Sequence, residues 1–329
     1  MFNEGATVMI RERLSCPIVL ACDEAYAMPL ATALRSLVEA NPGQAELELH
    51  VLTSEFSASA RQKVLNSLPV GSVSIRWLPV DLQVFREFST PDYISKMTYA
   101  RLMIPYMFPE NVQRILYLDA DILVLGQLGP LWAVDLEGTV VGAVVDVHSP
   151  THVNRLGLCA SLRQGDSGAE VPLAINYFNA GVLLIDLPRW RQERISENAL
   201  EYLLKHPETS LSDQDALNVA CCGKWKELDA RWNYYNHPRL GYGETQTEQW
   251  PSIVHFIGRY KPWAAATLSD NAAFYNNFRN RTEFFLTRYE ITCHTVQRGW
   301  ARLKRVLRQL GVKSLVDSCF KDIKPAHRA

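Results

Sequence analysis

The stretch Leu116 to Gly126, "LYLDADILVLG", places two carboxylates in an otherwise apolar run. Such a run suits a buried strand, and Asp119 and Asp121 fall where that strand should end. Buried carboxylates are costly unless they are paired, hydrogen-bonded or bound to a metal. On extended chain, residues two apart point the same way, so Asp119 and Asp121 can converge on one cation while Ala120 faces the opposite side. Two hard oxygen ligands suit Mg²⁺ or Mn²⁺, and an added imidazole moves the preference toward Mn²⁺.

Working outward, apolar runs alternate with helical patterns. "CPIVLAC" (Cys16 to Cys22) reads as a strand, and Leu30, Ala33, Leu34, Leu37 and Val38 recur at helical spacing until Asn41-Pro42-Gly43. Further strands are expected at Leu47 to Thr53, Val73 to Val80, "RILYL", Thr139 to Val145 and Gly181 to Leu187, with a helix from Ser57 to Leu68. This alternation predicts an α/β fold with a mostly parallel central sheet whose ligand lies at the carboxyl ends of the strands. Asp119 and Asp121 lie at that edge.

The histidine is expected in "IVHFIGRYKPW", where His255 is followed by Gly258, which permits close backbone approach, and Lys261, a point charge suited to phosphate. Together they suggest a clamp for a metal and a diphosphate. Asp23 in "ACDE" either accepts hydrogen bonds from a bound base or sugar or caps the next helix. Asn179 and Gly181 in "YFNAGVLLIDL" are expected before a strand, with a turn-forming Asn as the plainer reading. In "SDQDALN", Ser212 or Asp213 caps a helix and Asp215 sits in its first turn, which helix capping and the dipole alone would explain.

The chain has 329 residues, a formal net charge of −1 and 47% hydrophobic residues. That balance disfavours a nucleic-acid binder. From Arg279 onward, however, twelve Lys or Arg residues face four acids. Seven cysteines without a CxxC pair, no apolar run of membrane-spanning length and no secretory apolar segment in the opening residues point to a reduced, cytoplasmic protein. Ser149 to Pro172 reads as a mobile loop. In the tail, Val296, Trp300, Leu303, Leu307 and Leu310 fall on one helical face, with Arg298, Arg302, Lys304, Arg305 and Arg308 largely elsewhere. Such a helix either lies on an anionic membrane or docks its apolar face on the domain.

In order, "ACDE", "TYARL", "YLDADILV", "GAVVD", "YFNAGVLLIDLPRW", "SDQDALN" and "HFIGRYKPW" resemble glycosyltransferase family 8, in particular the bacterial lipopolysaccharide galactosyl- and glucosyltransferases. The resemblance runs from about Pro17 to Trp263. It implies a GT-A fold over residues 1–265, with residues 266–329 a basic, partly amphipathic helical segment. It also implies retaining transfer of galactose or glucose from a UDP-sugar, with Mn²⁺, to a saccharide or glycolipid acceptor such as lipopolysaccharide core.

By the same resemblance, Asp119, Asp121 and His255 are metal ligands, and Gly258 and Lys261 meet the diphosphate. Asp23 faces uracil, and Ala21 and Cys22 line the base. Arg101, Asp146, Asn179 and Asp213 contact the donor sugar, Ala120 lies in the binding strip, and Gln214 sits beneath the anomeric carbon. Relatives often read Ala-Ala-Asp-Asp-Asn where this chain has Ala-Cys-Asp-Glu-Ala, so a polar contact is missing at Ala25. An apolar strand followed by DxD also fits haloacid-dehalogenase-like phosphatases, and a non-catalytic sugar-nucleotide or glycan-binding protein is a third possibility.

Overall fold

The computed structural model describes residues 17–42, 47–91, 94–146, 176–209, 211–235, 251–259, 261–264 and 271–309. The expected loop of 149–172 lies outside them. Seven strands form the central sheet: β1 (Ile18–Ala21), β2 (Glu48–Thr53), β3 (Ser74–Pro79), β4 (Arg114–Leu118), β6 (Val141–Val145), β7 (Phe178–Asp186) and β8 (Trp225–Glu227). Their order is β3-β2-β1-β4-β7-β6-β8. All pairings are parallel except those of β7 with β4 and β6.

Helix α1 (Ala27–Ala40) buries Leu30, Leu34 and Leu37 at 0 to 1% exposure, each contributing roughly 1.5–3 kcal/mol. It stops where the sequence predicts. The Asn41 amide donates to the Leu37 carbonyl and accepts from the Leu128 N–H, so one side chain caps the helix and ties it to the following layer. Helix α2 (Ala58–Asn66) starts behind Ser57, whose hydroxyl accepts from Ala60 N–H.

The direction of β7 is not encoded in its apolar pattern, and it matters most for the site. Val145 pairs with Phe178 and Leu118 with Val182. An antiparallel β7 therefore begins at the edge where β1, β4 and β6 end. Asn179, expected in a turn before the strand, lies inside the strand and beside Asp119 for this reason.

Just after Asp121 the chain leaves the main sheet. Strand β5 (Ile122–Val124) pairs antiparallel with β10 (Ile253–His255), which also pairs with β9 (Tyr234–Tyr235). Ile122 stands opposite His255, and Phe256 N–H donates to the Asp121 carbonyl at 2.9 Å. This small sheet brings a histidine more than 130 residues away in sequence to the two aspartates.

The short helices α3 (Ile104–Met107) and α4 (Gly129–Trp132) flank β4 and β5 in sequence, and α5 (Leu187–Gln192), α6 (Ile195–Lys205) and α7 (Asp213–Ala220) follow β7. Beyond residue 265 the chain still packs on the domain. Helix α8 (Asn271–Arg279) buries Tyr275 completely against Phe256 and Trp263. Arg281 pairs with Glu39 of α1, and Ser67 beyond α2 accepts from Glu283 N–H. The basic count of this segment conceals aromatic residues at 274, 275 and 278 that belong to the core. Helix α9 (Arg288–Gln309) differs. Tyr289, Val296, Leu303 and Val306 on it are exposed, so at those positions docking on the domain is not observed.

Candidate functional site

One cleft of about 300 Å³ opens at the carboxyl edge of the sheet. It gathers every residue that the resemblance assigns to the site: Ala21, Cys22, Asp23, Arg101, Asp119, Ala120, Asp121, Asp146, Asn179, Asp213, Gln214, His255, Gly258 and Lys261. The cleft lies between β1 and β4, where the strand order reverses, as expected for an open α/β sheet.

At its centre, one ligand atom each from Asp119, Asp121 and His255 can be chosen so that all three lie within 4.8 Å of one another. His255 Nε2 stands 3.2 Å from Asp121 Oδ1 and 3.7 Å from Asp119 Oδ2. Ala120, between the aspartates, turns into the hydrophobic core at 4% exposure, as the alternation requires. Two carboxylates and an imidazole with converging atoms fit a divalent cation, and hard oxygens with one nitrogen fit Mg²⁺ or Mn²⁺. Lys261 already donates to Asp121 Oδ2, and also to the Phe256 carbonyl at 2.8 Å. Burial works to raise the Asp121 carboxyl, but Lys261 and His255 overcome it and hold the group below the usual carboxylate range.

Arg101 is buried at 5% exposure and braces the floor. Its guanidinium donates to Asp119 Oδ1 at 2.9 Å and to the Ala180 carbonyl, and it ion-pairs with Asp213 Oδ2 at 2.9 Å. Its position stacks it on the Tyr117 ring, 4.5 Å from the centroid. Tyr117 donates to the same Asp119 oxygen. Reading two residues back along the strand from Asp119 would have found this tyrosine, because the same alternation puts both on one face. Thr98, within "TYARL", donates to Asp213 Oδ1. Burial pushes the Asp213 carboxyl up to about 6 against the pull of Arg101.

Side-chain capping does not account for Asp23 or Ser212, whereas Asp215 sits in the first turn of α7 as the plainer reading expects. Asp23 precedes a 3₁₀ turn but makes no side-chain cap; its Oδ2 accepts from Ser95, while buried Oδ1 has no hydrogen-bond partner. Ser212 makes no side-chain cap either, and its backbone sits at φ 51° immediately before Asp213 and Gln214, both of which face the cleft. Asp215 is fully buried and does not line the cleft; Tyr177, Thr209 and Leu211 N–H all donate to its carboxylate. Glu24 turns outward and accepts from Ser57. Gln214 Oε1 accepts from Asn179 Nδ2 and Ala180 N–H, and its Nε2 donates to Asp146 Oδ2.

Residues 17–267 match glycosyl transferase family 8, and the chain belongs to that family. It is 29% identical to general stress protein A of Bacillus subtilis over 266 residues, covering 76% of this chain and 88% of that protein. It is 28% identical to the lipopolysaccharide 1,3-galactosyltransferase of Salmonella typhimurium, covering 75% and 72%. The galactosyltransferase LgtC, solved with donor and acceptor sugar analogues, superposes with a TM-score of 0.68 at 28% identity, covering 84% of this chain and 99% of LgtC. The fold is thus GT-A-like, and the protein is a glycosyltransferase. The phosphatase and non-catalytic readings fall with that assignment.

Proposed function

We propose that the chain is a retaining, Mn²⁺-dependent hexosyltransferase that moves galactose or glucose from a UDP-sugar to a hydroxyl of a saccharide acceptor, in lipopolysaccharide core or another cell-envelope glycan. The observation carrying this reading is the convergence of Asp119, Asp121 and His255 beside Lys261 in the cleft. When bound there, the cation supplies charge stabilisation for the departing diphosphate. Lys261 adds a second positive charge on the same side, and preorganised charge at a developing anion is worth several kcal/mol. The partnerless Asp23 Oδ1 supports a role in accepting an N–H of the base, with Ala21 and Cys22 lining the same cleft.

Retention needs either a carboxylate nucleophile or attack on the face the diphosphate leaves. Asp215 is turned away with its oxygens engaged, and Asp213 is held by Arg101 and Thr98. Gln214, which lines the cleft, is neutral and a poor nucleophile. These arrangements favour front-face substitution, with the departing phosphate taking the acceptor's proton. The test is transfer from each UDP-hexose to truncated lipopolysaccharide core oligosaccharides, with the anomeric configuration of the product read by NMR. An inverted product, or transfer only from donors with another nucleotide, would refute the reading.

The exposed Tyr289, Val296, Leu303 and Val306 on a basic helix favour a peripheral position on an anionic cytoplasmic membrane face. No helix among the described residues is long and apolar enough to cross a membrane. Removing residues 293–329 spares the Arg279–Glu290 contact with the domain. The truncated chain should lose co-sedimentation with phosphatidylglycerol vesicles; unchanged binding would rule the membrane role out.

A further inference from the structure

Asn233 lies outside the cleft lining, is 1% exposed, and joins two parts of the site. The direction of its hydrogen bonds follows from the backbone. Gly181 N–H donates to Asn179 Oδ1 at 2.9 Å, and a backbone amide can only donate, so that atom of Asn179 is its oxygen. The same oxygen lies 2.9 Å from Asn233, which must therefore present its Nδ2 there. Asn233 Oδ1 is left facing His255 Nδ1 at 2.9 Å, and an oxygen there requires the hydrogen on Nδ1. In the neutral ring, His255 Nε2 then carries the lone pair, on the side of Asp119 and Asp121.

In the other direction the polarity continues. Asn179 Nδ2 donates to Gln214 Oε1, which also accepts from Ala180 N–H, and Gln214 Nε2 donates to Asp146. Two backbone amides of β7 thus orient three side-chain amides and one imidazole in a continuous chain.

We propose that Asn233 is a positioning residue that locks His255 in the Nδ1–H tautomer required of a metal ligand, and that through Asn179 it couples this to the placement of Gln214. The metal part rests on the function proposed above; the tautomer does not. A partner that fixes a ligating histidine is worth roughly 10- to 100-fold in metal affinity.

The test uses the full chain, labelled with ¹⁵N and free of metal, with His255→Gln to assign the ring resonances. Long-range ¹H–¹⁵N correlations at alkaline pH report the tautomer, and calorimetry with MnCl₂ alone reports affinity. Wild type should show Nδ1–H. Asn233→Asp, which keeps the acceptor toward His255 and gives up the donor toward Asn179, should retain both the tautomer and Mn²⁺ affinity near wild type. Asn233→Leu should show mixed tautomers and roughly 10- to 100-fold weaker Mn²⁺ binding. A purely structural role would weaken both variants alike without moving the tautomer. Nε2–H in the wild type, or wild-type Mn²⁺ affinity in a folded Asn233→Leu, overturns the proposal. If Asn233→Leu fails to fold, the wild-type tautomer and Asn233→Asp decide it. If the wild type binds no Mn²⁺, the proposed metal site fails, and the tautomers alone decide the role of Asn233.

Discussion

Gly181 backs directly onto the His255 ring: a Cβ built on it would stand 2.2 Å from Cε1 and 2.9 Å from Asp119 Oδ2. The strand can pass this close only without a side chain, so glycine here is a requirement of the site and not of a turn.

Gly181→Ala should therefore displace His255 or Asp119 and abolish tight Mn²⁺ binding. The overpacking should cost about 1–3 kcal/mol of stability. Calorimetry with MnCl₂ and a urea titration separate the two effects. Wild-type metal affinity in this variant would show that the ring can move aside freely.

The contact of Lys261 with Asp121 gives opposite expectations for two ligands. Its ammonium competes with a cation for one carboxylate yet suits a diphosphate. Lys261→Met should bind Mn²⁺ alone more tightly and bind UDP in the presence of Mn²⁺ more weakly, each by roughly tenfold. Affinities that move together would contradict this division of labour.

Asp213 makes stability depend on pH in a defined window. Its folded pKa, about 6, lies above the ordinary 3.8, so between those values the folded chain holds a proton the unfolded chain has released. Stability from this group is therefore greatest at low pH and declines as pH rises from about 4 to 6, by on the order of 3 kcal/mol, then levels off. The difference in unfolding free energy between wild type and Asp213→Asn should follow that curve. A flat difference across the window would place the carboxyl in an ordinary environment.

Removing Arg101 strips two inward-facing carboxylates, Asp119 and Asp213, of one shared partner. Arg101→Met should cost about 3–5 kcal/mol, because the charges left behind are uncompensated. Adding Asp213→Leu should recover part of the loss, since the two changes share a network. Strictly additive losses in urea unfolding would argue against the brace.

Much of the site was legible in the sequence because its parts lie on short, ordered motifs at strand ends. The apolar flanks of Asp119 and Asp121 placed them at the sheet edge, and the alternation of extended chain aimed them together. Apolar pattern reports burial but not direction, so the reversal of β7, which carries Asn179 to the aspartates, was not readable. Asn233 was missed for a related reason: "RWNYY" marks no motif, and its role exists only when β9, β10 and β7 are brought together. Charge counting at the C-terminal end did not report packing: Tyr275 and Phe278 pack on the domain within a stretch that reads as basic.

The central claim is that the two aspartates hold a divalent cation against the diphosphate of a UDP-hexose. The most direct measurement is UDP release by purified protein from UDP-galactose and UDP-glucose, with Mn²⁺ or EDTA, beside the double variant Asp119→Ala, Asp121→Ala. Release that requires both metal and aspartates, and favours one hexose, is the predicted result. Release that survives EDTA or the loss of both aspartates would contradict it.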